Sequence, residues 1–274
     1  MMKRRNIKRR KRFVAFLDVM GTKKLIEHGQ DKRIFRLLES IRDVEDGVLS
    51  DDYVKMYFFS DSIILYTIDD SASSFRSVLY TCAQIVEHFL TRGFGINGCI
   101  SYGTCTCDNK DGKYISVGKP FVEAYKTQDK LWCYGVVIDQ EAIKKVNDSG
   151  YISGFESIVV DPYFEWKLPS KENGWITLNM VNWMEFIEIG NSDMAKQKDD
   201  VKTIIKNLYE TYSDVGRGAY YIQNTEIVMK QWYDFLAERN YFPDYQWGKM
   251  LSEDYLTKCQ DDEIYYQEYS IIKH

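Results

Sequence analysis

Residues 13–22, FVAFLDVMGT, decide the fold. Five apolar residues lead directly into Asp18, and Gly21 and Thr22 follow before a longer stretch with apolar residues at helical spacing over 34–41. A short apolar run bounded by turn residues is typical of a buried strand. The segment therefore predicts a strand, a tight turn and a helix, with a carboxylate at the end of the strand.

A second carboxylate occupies a comparable place. Two runs of β-branched and aromatic residues, 53–59 and 63–68, flank Ser60-Asp61-Ser62. Such a pattern predicts a β-hairpin with Asp61 at its tip. A second helix is predicted over 75–89, ending near Gly93, so the order of elements begins βαββα.

The remaining segments complete an α+β fold. The pattern predicts strands over 96–102, 114–117, 134–138, 158–160 and 175–178, a helix after Gly118, and helices over 200–213 and 216–239. We therefore expect a ferredoxin-like βαββαβ core, with helices on one face of a largely antiparallel sheet. The predicted divisions are a flexible basic arm at 1–12, the core domain at 13–180 and a helical extension at 181–274.

Composition limits the classes of partner and the compartment. Eight lysines or arginines lie in residues 1–12, yet the formal net charge of the chain is −5, so the body is strongly acidic. Nucleic acid is therefore an unlikely main ligand, although a nucleic-acid-binding arm predicts salt-sensitive binding that is lost without residues 1–12. The six scattered cysteines, without a CxxC pair, fit a reducing compartment. With no apolar run long enough to span a bilayer, we expect a cytoplasmic protein that does not bind membranes.

The two carboxylates suggest metal chemistry. In a βαββ unit the first and third elements are commonly neighbours, which would place Asp18 and Asp61 at one edge of the sheet beside the Gly21 turn. Paired carboxylates repel each other unless a cation lies between them, and Mg²⁺ uses one or two carboxylates together with substrate phosphates. Alternatively, Asp18 caps a helix and Asp61 is an ordinary turn residue.

Four short motifs in order resemble those of a known family. They are FLDVMG at 16–21, FSDSI at 59–63, ISYG at 100–103 and GKPFVEAY at 118–125. Together they resemble class III nucleotide cyclase domains, and most closely the bacterial pyrimidine cyclases of the Pycsar antiphage system. The resemblance covers roughly residues 13 to 140.

The resemblance implies a homodimer with shared active sites. It implies that Asp18 and Asp61 of one protomer bind two divalent cations, Mg²⁺ or Mn²⁺, with the help of the Val19 carbonyl. Backbone N–H groups near Gly21 and Thr22 would hold the phosphates of a nucleoside triphosphate.

Four positions bear on substrate and activity. Tyr57 lies where purine cyclases of this class have a base-selecting lysine, which favours a pyrimidine, although a buried strand aromatic is the alternative. Lys126 replaces the usual transition-state arginine, and Val122 replaces an asparagine. Asn97, a candidate substrate contact, stands where the Pycsar relatives tend to have arginine.

The resemblance and the residues together give one expected function and one alternative. The expected protein is a metal-dependent cyclase that converts a nucleoside triphosphate, with UTP favoured and CTP next, into a 3′,5′-cyclic monophosphate and pyrophosphate. Its product would be an antiphage second messenger, read by a separate effector protein. The alternative is a catalytically degenerate cyclase-homology domain that binds a nucleotide or a partner and regulates it.

Overall fold

The computed structural model describes residues 9–47, 53–110, 113–151, 163–172, 174–184, 194–212 and 218–238. The strands are β1 (Arg10–Val19), β2 (Val54–Phe59), β3 (Ser62–Thr67), β4 (Ile96–Lys110), β5 (Lys113–Gly118), β6 (Gly135–Ile138), β7 (Tyr163–Ser170) and β8 (Gly174–Val181). The helices are α1 (Thr22–Glu27), α2 (Asp31–Gly47), α3 (Ala72–Thr91), α4 (Lys119–Lys130), α5 (Gln140–Ser149), α6 (Met194–Tyr212) and α7 (Gly218–Glu238). The predicted strand at 158–160 and arm residues 1–8 lie outside the described residues.

The sheet has the strand order that the sequence pattern predicts for its first half. The order is β2-β3-β1-β4-β6-β8-β7, and β5 pairs with the far end of β4. The segment β2-β3-β1-β4 is fully antiparallel, as in a ferredoxin-like core, whereas β6 runs parallel to β4. The α+β fold class is confirmed, and β1 lies at the centre of the core.

Strand β1 begins three residues earlier than the apolar run suggests. Arg10 pairs with Cys105 of β4, and the buried Arg12 donates from its guanidinium to the Thr67 carbonyl while lying over the Tyr66 ring. The ladder to β4 and this anchored guanidinium draw the end of the predicted arm into the sheet. A basic residue is accepted here because its charge is hydrogen-bonded.

Helices cover both faces of the sheet, which corrects the expected placement on one face. On one face the α3 ring of Phe75 packs on Phe13, with ring centroids 5.0 Å apart. On the other face the α4 ring of Tyr125 meets Phe16 edge-on at 5.5 Å. Successive strand residues point to opposite faces, so an unbroken apolar run such as that of β1 requires cover on both.

The C-terminal helices pack onto the same core. Buried side chains of α6 and α7, among them Leu208, Tyr212 and Trp232, belong to one continuous apolar cluster with α3 and the sheet. The sequence prediction missed α5, although Asp139 caps its start by accepting from the Ala142 N–H and Gly150 ends it at a φ of 64°. It also missed β7, whose eight residues pair with β8. None of the described helices combines the length and the hydropathy that crossing a bilayer requires.

Candidate active site

The turn after β1 is built from backbone constraints. Gly21 has a φ of 70°, a left-handed conformation that favours glycine because other residues carry a Cβ. Helix α1 begins at Thr22, whose hydroxyl donates to the Val19 carbonyl at 2.7 Å, while the Leu25 N–H donates to the Gly21 carbonyl at 3.0 Å. These bonds give the chain a fixed reversal directly after Asp18.

The hairpin tip brings the second carboxylate to the same place. Strands β1 and β3 are neighbours, and their register sets Asp18 opposite Ser62. The Val19 N–H donates to the Asp61 carbonyl at 2.9 Å, and Ser60 adopts a positive φ of 56° to complete the turn. Asp18 and Asp61 therefore lie together where β1 ends and the β2–β3 hairpin turns, and the two carboxylates meet as expected.

Electrostatics at this edge favour a bound cation. Burial and the nearby charge of Asp61 raise the pKa of Asp18 from 3.8 to about 6, while a 3.3 Å hydrogen bond from the Ser62 hydroxyl and the charge of Lys171 act in the opposite direction. The fold thus holds a carboxylate where its ionised form is disfavoured without a compensating positive charge.

An open pocket of about 360 Å³ contains both carboxylates. Residues of the turn, of the hairpin tip and of the C-terminal half of the chain surround it: Asp18, Val19, Met20, Gly21, Thr22, Lys23, Lys24, Asp61, Tyr134, Tyr212, Gly218 and Tyr221. The carboxylates and two lysines in one pocket can accommodate both a cation and an anionic group.

The oxygen atoms of this pocket fit a hard divalent cation. No group of three or more His, Cys, Asp or Glu side chains that could hold a metal occurs among the described residues. The donors are therefore two carboxylates and the Val19 carbonyl, which keeps a lone pair after accepting from Thr22. Mg²⁺ takes few protein oxygens and leaves its other positions to water and phosphate, so this small set suits it.

Two predicted site residues, the half-buried Tyr57 and the exposed Lys126, lie away from this pocket. Tyr57 of β2 shares a 2.7 Å hydrogen bond between its hydroxyl and that of Tyr66, and its ring contacts Tyr114 with centroids 3.6 Å apart. Lys126 of α4 is exposed, with its Nζ 3.9 Å from a carboxylate oxygen of Glu123. Neither residue lines the pocket of its own chain.

Asn97 is next to the site but beneath the surface. It is the cross-strand neighbour of Asp18 and is fully buried, with its Oδ1 accepting from the Gln128 amide. Its Nδ2 has no hydrogen-bond partner among the described residues. The side chain of Asn97 is therefore not exposed to the pocket in this conformation, and its role in substrate binding stays a prediction.

Several pocket residues were missed by sequence reasoning. Tyr134 directly precedes β6, and the others come from the C-terminal helices, all 100 or more positions from Asp18: Tyr212, Gly218 and Tyr221. The nearby Lys171 follows β7 and has its Nζ 3.4 Å from Asp129. The local pattern of these residues carries no signal beyond an abundance of tyrosine, because their proximity to Asp18 depends on how α6 and α7 dock.

Comparisons with known proteins were made with this geometry in hand. No protein-family model matches the chain, and no curated protein matches it. Among solved structures, it is similar to the catalytic core of a rhodopsin-guanylyl cyclase in complex with ATPalphaS, at 14% identity and a TM-score of 0.44, covering 64% of this chain and 96% of that one.

Two further solved structures give comparable values. The adenylyl cyclase CyaB from P. aeruginosa matches at 14% identity and a TM-score of 0.40, over 64% of this chain and 94% of that one. A dimeric guanylyl cyclase domain of the RhoGC fusion protein from the aquatic fungus Blastocladiella emersonii matches at 13% identity and a TM-score of 0.43, over 64% and 98%. At TM-scores below 0.5 none of these decides the function, which depends on the residues of the site.

Proposed function

We propose that this protein is a metal-dependent nucleotidyl cyclase, which converts a nucleoside triphosphate into a 3′,5′-cyclic monophosphate and pyrophosphate. The observation that carries the proposal is the Asp18 and Asp61 pair, held at one sheet edge in a pocket that also contains Lys23 and Lys24. A cation site beside two lysines suits a triphosphate better than a neutral ligand.

The residues around the two carboxylates have defined parts in this reaction. Asp18, Asp61 and the Val19 carbonyl would hold Mg²⁺ or Mn²⁺, and these ions would lower the pKa of the ribose 3′-hydroxyl and neutralise the pyrophosphate. The backbone at Gly21 and Thr22 and the two lysines orient the phosphates. The 3′-oxygen then bonds to the α-phosphorus, the bond from that phosphorus to the bridging oxygen breaks, and the hydroxyl proton leaves to solvent.

A homodimer would complete the site. Six of the nine large apolar side chains that the described residues expose lie at the end of β2, on β5 and on α4: Phe59, Tyr114, Ile115, Val117, Val122 and Tyr125. Exposed apolar patches of this kind mark association surfaces. Tyr57 and Lys126 lie on these same elements, so pairing through this surface would present them to the partner's pocket.

The base is proposed to be a pyrimidine, with UTP preferred and CTP next. An aromatic at Tyr57, with its hydroxyl engaged by Tyr66, provides a stacking surface in place of a lysine ammonium that would donate a hydrogen bond to a purine base. The Pycsar resemblance supports one further part of the proposal. The cyclic pyrimidine nucleotide would be an antiphage second messenger, read by a separate effector protein.

A direct assay tests the proposal. The purified protein is incubated with ATP, GTP, CTP or UTP and Mn²⁺, and cyclic products are identified by mass spectrometry. Asp61→Asn should abolish the product, because it removes a ligand charge while keeping the turn. Asp31→Asn, which removes a carboxylate from the start of α2 outside the pocket, should retain full activity.

The second candidate is a cyclase-homology domain that binds a nucleotide without turning it over. The burial of Asn97 favours it, since this predicted substrate contact is not exposed to the pocket. A folded dimer that binds triphosphate and Mn²⁺ but yields no cyclic product from any of the four nucleotides would establish this candidate instead.

A further inference from the structure

A tyrosine of the C-terminal helices holds the turn that carries the proposed metal site. Tyr212, the last residue of α6, is buried to 1% exposure. Its hydroxyl donates to the Met20 carbonyl at 2.9 Å and accepts from the Gly95 N–H at 3.0 Å. The Met20 N–H donates to the Gly95 carbonyl at 2.9 Å, so three hydrogen bonds link the β1–α1 turn, the start of β4 and the end of α6.

Close contacts surround Tyr212 and its neighbour Tyr134, whose ring centroids are 6.1 Å apart. A Cβ added to Gly95 would lie 2.2 Å from the Tyr134 ring, and one added to Gly218 would lie 2.7 Å from the Cβ of Tyr212. Both glycines therefore permit backbone to approach an aromatic side chain more closely than any other residue would. The Asn207 amide also donates to the Thr91 carbonyl at 3.2 Å, which anchors α6 to the end of α3.

Helix α7 is anchored to the same side of the pocket. The Thr225 hydroxyl accepts from the Tyr134 N–H at 2.8 Å, and the Tyr221 hydroxyl donates to the Leu131 carbonyl at 3.3 Å. The rings of Tyr134 and Tyr221 stack with centroids 5.4 Å apart. Hydrogen bonds between side chain and main chain are directional. They therefore hold α7 in one position on the core, which apolar packing alone would not do.

We propose that Tyr212 is a positioning residue of the active site, and that α6 and α7 complete the catalytic unit of their own chain. This inference rests on the proposed function. The Tyr212 hydroxyl already donates one bond and accepts another, so it acts through the turn at Met20 and does not react with substrate. By fixing Met20, it fixes the neighbouring Val19 carbonyl and the direction in which Asp18 approaches a cation.

The turn needs this support because two effects destabilise it. Asp18 and Asp61 repel each other, and Gly21 offers the backbone more freedom than another residue would. Without the hydroxyl, Met20 keeps its bond to Gly95, but its carbonyl and the Gly95 N–H lose a buried partner. A buried group without a partner favours local opening, and the opening would occur at the metal site.

The variant Tyr212→Phe tests the inference, because it keeps the buried ring and removes the two hydrogen bonds. The matched control is Thr211→Val, which removes the neighbouring hydroxyl, one that donates to the Asn207 carbonyl of its own helix at 2.9 Å. Three quantities are measured on the full chain: hydrogen exchange of peptides covering residues 19–25, Mn²⁺ affinity by electron paramagnetic resonance, and cyclase turnover.

We expect Tyr212→Phe to exchange about tenfold faster in residues 19–25 and to bind Mn²⁺ several-fold more weakly, with turnover reduced at least as much, while the control matches the wild type. Unchanged exchange would show that Tyr212 does not fix the turn. Faster exchange with wild-type Mn²⁺ affinity and turnover would leave Tyr212 a purely structural role and overturn the inference. A wild type that neither binds Mn²⁺ nor turns over would overturn the proposed function instead, and the exchange measurement would still report on the turn.

Discussion

The backbone N–H of Val19 donates a 2.9 Å hydrogen bond to the carbonyl of Asp61. This bond joins the residue after Asp18 to the tip of the β2–β3 hairpin, so the two carboxylate-bearing positions cannot separate without breaking the sheet edge. The pKa of Asp18 is raised by its burial and, in addition, by the charge of Asp61, which this bond keeps close. The fold therefore maintains a repulsion that a cation would relieve.

Replacing Asp18 should abolish cyclase activity but increase the free energy of unfolding. The pKa of Asp18 is about 6 in the folded protein and 3.8 for an ordinary aspartate, so the neutral acid favours folding below pH 3.8 and this contribution is lost as the pH rises through 6. At pH 7.5 without divalent cations, Asp18→Asn should raise the free energy of unfolding by roughly 1–2 kcal/mol, allowing for solvent screening. Urea denaturation of the wild type and of Asp18→Asn measures this difference in the free energy of unfolding.

The same substitution has an internal control in its pH dependence. Near pH 3.5 the wild-type carboxyl is protonated in both states, and the stability difference should disappear. Cyclase activity should be lost in Asp18→Asn at every pH. A variant that is less stable than the wild type at pH 7.5 would argue against an uncompensated charge at this position.

Binding of Mn²⁺ should weaken as the pH falls through about 6. Asp18 must be ionised to act as a ligand, and protons compete for it below its pKa. Because Lys171 lowers the pKa of Asp18, Lys171→Met should move the midpoint of this loss to higher pH. Lys206→Met, which removes a lysine paired with Glu210 on the surface of α6, should leave the midpoint unchanged. Titration of the wild type and both variants with Mn²⁺ at several pH values decides between these outcomes.

Dimer formation should depend on the exposed face of α4. Val122 is 50% exposed on that helix, and an arginine there would bring two like charges together across a two-fold interface. Val122→Arg should give a monomer in analytical ultracentrifugation and should lose most of its cyclase activity. Phe35→Arg, at a similarly exposed apolar position on α2, should remain dimeric. If Val122→Arg remains dimeric, the interface lies elsewhere.

Shared sites predict complementation between inactive variants. Asp61→Asn and Lys126→Ala should each be inactive alone, because each removes one contribution to every site. In a mixed dimer, one of the two sites recovers both residues, so random mixing should restore about a quarter of wild-type activity. If no activity returns after verified subunit exchange, then Asp61 and Lys126 do not act across the interface.

Part of this architecture follows from local sequence. The apolar run before Asp18, the hairpin around Asp61 and the helical period over 75–89 each predicted an element that the structure contains. Their order also predicted that the first strand lies beside the hairpin. In the structure it is β3 of the hairpin that pairs with β1, and this pairing brings the carboxylates together. Strand β7 was missed since it forms only against β8, and α5 was missed although its capping residues are visible in the sequence.

The sequence by itself determined the βαββα frame and the two positions where a carboxylate ends a strand or occupies a turn, because these depend on side-chain periodicity and turn chemistry over a few residues. Tertiary structure alone decided that Tyr212 supports Met20, that Tyr221 and Lys171 lie near Asp18, and that Asn97 is buried beneath α4. These relationships join residues far apart in the chain. They depend on how helices dock against both faces of the sheet, and no local pattern encodes that geometry.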